Sequence, residues 1–229
     1  MRSSVVHPAD FSFKLPDNVS LDEAAMVEPV AIGMHAATKA NITPGATAVV
    51  QGAGTIGCVT AMSVLAAGAG KVYVSDISDA KLEIVAGRGN GSIIPVNIQR
   101  EDLAERIYRD TGDWGCDYFF EATGNEFAAA KIFDCMAPGG TVVMIGHPGA
   151  PVSLDFVPGQ VKEVTVKTIF RYAHVFPAVV AMMAKGAIDV KPLISNQFEF
   201  KDAVHAFEFS AKYASDCHSD CVKNMLVID

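Results

Sequence analysis

The chain reads as an α/β protein built on a doubly wound, six-stranded parallel sheet, and three observations predict it. Short apolar runs of strand length alternate with helical stretches from Thr47 to Phe170. That is the pattern of strands buried on both faces by crossover helices. The first run, Thr47–Gln51, leads into Gly52-Ala53-Gly54-Thr55-Ile56-Gly57, a G-x-G-x-x-G turn that opens a helix. The second, Val72–Asp76, ends in a carboxylate at about the ~20-residue offset from which an acid accepts hydrogen bonds from a ribose diol.

Each glycine of the turn has a physical task. Gly52 permits the tight exit from the strand. Gly54 removes the Cβ that would hold a pyrophosphate off the backbone, and Gly57 lets the helix pack closely on the strand. The helix N-terminus then presents free N–H groups and a partial positive charge to phosphates. Together these residues predict a dinucleotide site.

Taken in order, residues 8–19 read as an extended lead-in with a turn at Pro16-Asp17. Ser20-Leu21-Asp22-Glu23 is a capping box opening a short helix. Pro29 suits the first turn of a second helix, Val30–Ala40, which Asn41 can end. Glu28 has apolar neighbours on both sides. It reads either as an acid at a helix N-terminus, favoured by about 0.3–1 kcal/mol, or as a carboxylate facing a metal or an arginine. After the turn Thr43-Pro44-Gly45, strands are expected at Thr47–Gln51, Val72–Asp76, Ile93–Val96, Asp117–Ala122, Thr141–Ile145 and Val164–Phe170. Helices are expected at Ile56–Ala67, Asp79–Ala86, Glu101–Asp110 and Glu126–Met136. Pro138-Gly139-Gly140 is read as the turn into the fifth strand, and Ala150–Gln160 as a non-helical loop. Beyond Phe170 the alternation stops. A helix at Phe176–Ala187, an extended Lys191–Phe200, a helix at Lys201–Ser210 and a closing strand at Asn224–Ile228 are assigned to another layer.

Half of the 229 residues are apolar and 19% are charged, an ordinary globular composition. A net charge of −8 speaks against nucleic acid or an anionic membrane surface as a partner. No apolar run approaches the ~18 residues of a membrane span. The opening Met1-Arg2-Ser3-Ser4 lacks a signal-peptide core. Five scattered cysteines, an odd number, suit the reducing cytoplasm, with Cys58, Cys116 and Cys135 expected as buried thiols. Cys217-His218-Ser219-Asp220-Cys221 has the look of a metal clip without a fourth ligand.

Glu28-Pro29, the glycine turn and Phe170-Arg171-Tyr172, taken together, resemble the zinc-dependent polyol dehydrogenases: the sorbitol, xylitol and L-iditol enzymes of the medium-chain dehydrogenase family. Ala122-Thr123-Gly124, Pro138-Gly139-Gly140-Thr141 and Lys191-Pro192-Leu193-Ile194 extend the resemblance from about Val6 to Ile228. It implies a Rossmann domain over residues 45–170. Residues 1–44 would be a remnant of the catalytic domain with its linking helices, and 171–229 the return to that domain. It places cofactor contacts on Ile56, Asp76, Lys81, Ile145-Gly146-His147 and Ile169-Phe170-Arg171. Substrate contacts fall on Glu28, Arg171 and Tyr172, with Glu28 beside the metal and Arg171 as its charge partner. The implied cofactors are NAD and zinc, and the implied substrate is a small polyol or its ketose. The implied assembly is a homodimer or tetramer through the sixth strand, where Val164, Val166 and Ile169 are apolar. The family's cysteine and Gly-His-Glu zinc ligands, and its structural-zinc cysteines, have no counterpart in this sequence. The expectation is therefore NAD-dependent oxidation of a polyol secondary alcohol to the ketose in the parent enzyme, this chain alone binding NAD without turnover; the alternative is a non-catalytic NAD-binding or assembly module.

Overall fold

The computed structural model describes residues 5–213, 216 and 219–228. The first helix, α1 (Leu21–Ala25), starts as its capping box requires. Ser20 Oγ accepts from the Glu23 amide at 3.2 Å, and Glu23 Oε2 accepts from the Ser20 amide at 3.0 Å. Helix α2 (Val27–Ala40) begins three residues ahead of the expected Val30, taking Glu28 and Pro29 into its first turn. Proline is tolerated there because first-turn amides have no partner within the helix. Asn41, at φ +62°, ends it in the left-handed conformation.

The chain then alternates through β1 (Thr47–Gln51), α3 (Thr55–Ala66), β2 (Lys71–Asp76), α4 (Asp79–Ala86), β3 (Ile93–Asn97), α5 (Leu103–Thr111) and β4 (Cys116–Glu121). It continues as α6 (Glu126–Ala129), β5 (Met136–Met144), α7 (Val157–Val161) and β6 (Thr165–Thr168). The six strands form one sheet in the order β3-β2-β1-β4-β5-β6, every neighbouring pair parallel. Alternate side chains go to opposite faces. Val50, Val72, Val74 and Phe120 join α2 and α3 in one core, while Val49, Tyr73, Phe119 and Val142 build a second against Ile107 and Phe133. Cys58, Cys116 and Cys135 are buried as expected.

Beyond the sheet lie α8 (Phe176–Ala184), β7 (Ile194–Glu199), α9 (Ala203–Tyr213) and β8 (Lys223–Val227). Strands β7 and β8 pair only with each other, outside the six-stranded sheet, while Val179, Val180 and Met183 of α8 join the core formed with α2 and α3. No described helix is long and apolar enough to cross a membrane.

Several expectations need correction. The helix expected over Glu126–Met136 stops at Ala129, with Asn125 Oδ1 capping the amides of Phe127 and Ala128. Ile132, Phe133, Cys135 and Met136 are drawn into the second core, and that burial outweighs helix propensity. Pro138-Gly139-Gly140 lies inside β5 rather than before it. The register against β4 shifts between Cys116 and Tyr118, and Gly139 sits at φ +72° to absorb the irregularity. The expected loop Ala150–Gln160 ends in α7, whose first amide, Val157, donates to Asp155 Oδ1 at 3.0 Å. Strand β6 is shorter than Val164–Phe170. Val164 and Ile169 turn into the cores, leaving Val166 as the exposed apolar residue of the edge.

Candidate cofactor-binding site

The site opens where the strand order reverses, between the carboxyl ends of β1 and β4, the crevice where doubly wound sheets take ligands. Gly52 leaves β1 at φ +103°, and its amide donates to Ser75 O at 2.7 Å, tying the turn to β2. A Cβ on Gly57 would lie 1.8 Å from Gly52 O, so helix and strand meet only through a glycine. Gly54 differs. A Cβ there would meet nothing within 4 Å, so no protein contact demands a glycine. What the missing Cβ leaves is space in front of the N-terminus of α3.

Two clefts flank this point. The first, about 690 Å³, is lined by Gly52, Gly54, Asp76 and Lys81, with Ile98 and Phe127 among its apolar walls. Asp76 is held in place by the backbone. Its Oδ2 accepts from the Ala53 amide at 2.6 Å, and its Oδ1 accepts from Ile77 and Ser78 at 2.7 and 2.9 Å. The second, about 270 Å³, brings together Ile56, Ile145, Gly146, His147, Ile169 and Arg171, with Ile32 from α2. Ala122 and Thr123 line both and divide one from the other. Gly57 is buried beneath, and Phe170 lines neither cleft. The Phe170 ring stands 70% exposed, 5.8 Å from the His147 ring and 5.3 Å from the Arg171 guanidinium.

The expected substrate residues gather less tightly. Glu28 is exposed, not buried between its apolar neighbours, because Val27, Pro29 and Val30 take the inward face of α2. Tyr172 lies beside it. Burial pushes the Tyr172 phenol up, and the Glu28 carboxylate adds to this while Arg171 opposes it. Glu28 and Arg171 form no ion pair within 4.0 Å, so the expected charge partnership is replaced by a Glu28–Tyr172 neighbourhood.

Zinc does not fit the described donors. No three His, Cys, Asp or Glu side chains among the described residues come together as a metal site. His35, on the same helix as Glu28, is depressed by burial and by Lys39. Of the Cys217–Cys221 stretch, Cys217 and His218 lie outside the described residues, and Cys221 Sγ sits 3.2 Å from Asn224 Oδ1. A dinucleotide does fit: an open approach to a helix N-terminus, an oriented acid and two clefts joined at the sheet's switch point.

Some contributors escaped the sequence reading. Ser75, Gln51 and Glu121 stand in register across β2, β1 and β4, and each buries a polar atom without a hydrogen-bond partner. Ser75 and Gln51 line the first cleft. A polar residue closing an apolar strand is the signal that could have found Gln51 and Glu121. Phe127 and Lys131 also line that cleft, on a segment the sequence assigns to a longer helix.

Residues 55–185 match the family model described as zinc-binding dehydrogenase. A D-xylulose reductase of Morganella morganii is 46% identical over 212 residues, covering 93% of this chain and 62% of the relative. An L-idonate 5-dehydrogenase of Vitis vinifera is 36% identical, covering 93% and 59%. The crystal structure of 2R,3R-butanediol dehydrogenase from Bacillus subtilis superposes with a TM-score of 0.85 at 26% identity, covering 95% of this chain and 60% of that one. The chain thus spans about three-fifths of the length of the curated relatives it matches. With a matching model over more than half its residues, the chain belongs to the zinc-binding dehydrogenase family.

Proposed function

We propose that this chain is the NAD-binding part of a polyol dehydrogenase, with residues 45–170 as the cofactor-binding unit. The observation that carries the reading is the Gly54 opening, which shares one cleft with the oriented Asp76 carboxylate. Asp76 would hold the adenosine ribose diol and Lys81 would add charge beside it. The α3 N-terminus would face the phosphates. Ile56, Ile145 and Ile169 would wall water from the second cleft, with the Gly146-His147 backbone and Arg171 around it. Bound NAD would supply the hydride acceptor for oxidation of a secondary alcohol to a ketone. Arg171, which lines the second cleft, and Tyr172 beside Glu28 would hydrogen-bond substrate hydroxyls. The D-xylulose reductase and L-idonate 5-dehydrogenase likenesses support a polyol or ketose as the substrate class.

A carboxylate beside the diol repels a 2′-phosphate. NAD(H) is therefore expected to bind at least about tenfold more tightly than NADP(H), and Asp76→Ala to narrow that gap. Fluorescence titrations giving equal affinities for the unmodified chain would reject the assignment.

The shortage of metal donors among the described residues favours a second reading, a NAD-binding module without catalysis. Zinc catalysis commonly takes three protein ligands. This 229-residue chain is accordingly expected to hold no stoichiometric zinc and to oxidise neither xylitol nor sorbitol. Chelator-sensitive, metal-restored oxidation of either by the chain alone would establish the catalytic reading instead.

A further inference from the structure

Glu121 is fully buried at the end of β4, where one carboxylate oxygen holds the turn after β4 and the backbone carbonyl holds the turn after β5. Its Oε1 accepts from the Thr123 amide at 2.7 Å, from the Gly124 amide at 3.1 Å and from the Thr123 hydroxyl. Its carbonyl oxygen accepts from the Ile145 and Gly146 amides at 2.9 and 3.0 Å. Its Oε2 has no partner and lies 2.5 Å from where a Cβ on Gly146 would stand. One residue thus joins the turn after β4 to the turn after β5. Thr123, Gly124, Ile145 and Gly146 all line the second cleft, and of the four only Thr123 also reaches the first.

We infer that Glu121 is a positioning residue for the nicotinamide half of the dinucleotide, holding the two turns that wall the second cleft while leaving the adenosine half untouched. The inference rests on the cofactor reading above, which places the Asp76 side of the site on the adenosine ribose. Hydrogen bonds to a charged acceptor are stronger than neutral ones, and three converge on one oxygen. Removing the acceptor leaves three donors of the 123–124 turn without their partner. The contacts of Asp76 and Lys81 lie on β2 and α4, outside that turn.

The test is calorimetric titration of NAD and of AMP into the unmodified chain and three variants. Glu121→Leu is expected to weaken NAD about tenfold while AMP stays within about twofold. Glu121→Gln, which keeps a carbonyl acceptor for the same donors, is expected to recover most of the loss. Should Glu121→Leu show no cooperative thermal transition, Thr123→Val decides. It removes one donor to Glu121 and the acceptor of the Asn125 amide, and because Thr123 borders both clefts it is expected to weaken NAD about threefold and AMP by less than about twofold. Parallel loss of NAD and AMP would show a general structural role and overturn the inference. NAD affinity unchanged in the deciding variant would overturn it as well. Failure of the unmodified chain to bind NAD would defeat the cofactor reading and this inference with it.

Discussion

Gly54 and Gly57 stand almost one helical turn apart, and an added methyl would meet different things at each. At Gly57 it would strike the Gly52 carbonyl at 1.8 Å, so the strand and helix must part. Gly57→Ala is expected to destabilise the fold by about 2 kcal/mol or more, seen as a lowered thermal midpoint. An unchanged midpoint would contradict the packing. A second residue-scale effect lies on α5. The Arg106 guanidinium, bonded to Asp110 at 2.7 Å, holds that carboxyl below the usual range, helped by the Tyr73 hydroxyl and opposed by burial. A depressed carboxyl stabilises the fold above its unfolded value of about 4, and the contribution is lost as pH falls through the folded value. Asp110→Asn should therefore cost about 1 kcal/mol at pH 7, allowing for screening at a quarter-exposed pair. In denaturant melts the difference from the unmodified chain should shrink below pH about 4. A difference that grows with acid would contradict the assignment.

At the scale of elements, the strands up to β4 and their helices were legible because their apolar runs are short and their stops are chemical. Ser20 and Asn41 mark helix ends, and Asp76 closes a strand. The stretch from Glu126 to Phe170 was less legible. Its apolar residues are spaced as a helix would space them, yet Ile132 and Phe133 are buried from a turn. Periodicity cannot distinguish those two ways of reaching a core. The edge strand shows the same difficulty. Three apolar residues suggest a sticky edge, but only Val166 stays exposed, with Val157 and Val161 bare on the preceding α7. We expect these to be covered by a second copy about a two-fold axis. Light scattering at tens of micromolar should give a dimer mass that Val166→Lys lowers towards the monomer. A monomer for the unmodified chain would reject the interface.

At the scale of the molecule, the cleft at the Gly54 turn was the most legible part, since its turn and its acid are adjacent in sequence to the strands that place them. Glu121 was not, because its importance lies in hydrogen bonds to two turns separated by a whole strand and helix. The Glu28–Arg171 pairing expected from resemblance was not found either: Glu28 faces outward from α2, and the family's metal-side residues have no counterpart in this sequence. The proposed dinucleotide site sits at the Gly54 turn. One measurement reaches it directly: NAD titration of the unmodified chain beside Gly54→Ala, with thermal melts of both. A methyl at Gly54 meets no protein atom within 4 Å, so the two melts should coincide. The unmodified chain should bind one NAD saturably, and the variant about tenfold or more weakly because its methyl occupies the phosphate approach. Equal NAD binding by the two chains, or none by the unmodified one, would contradict the account.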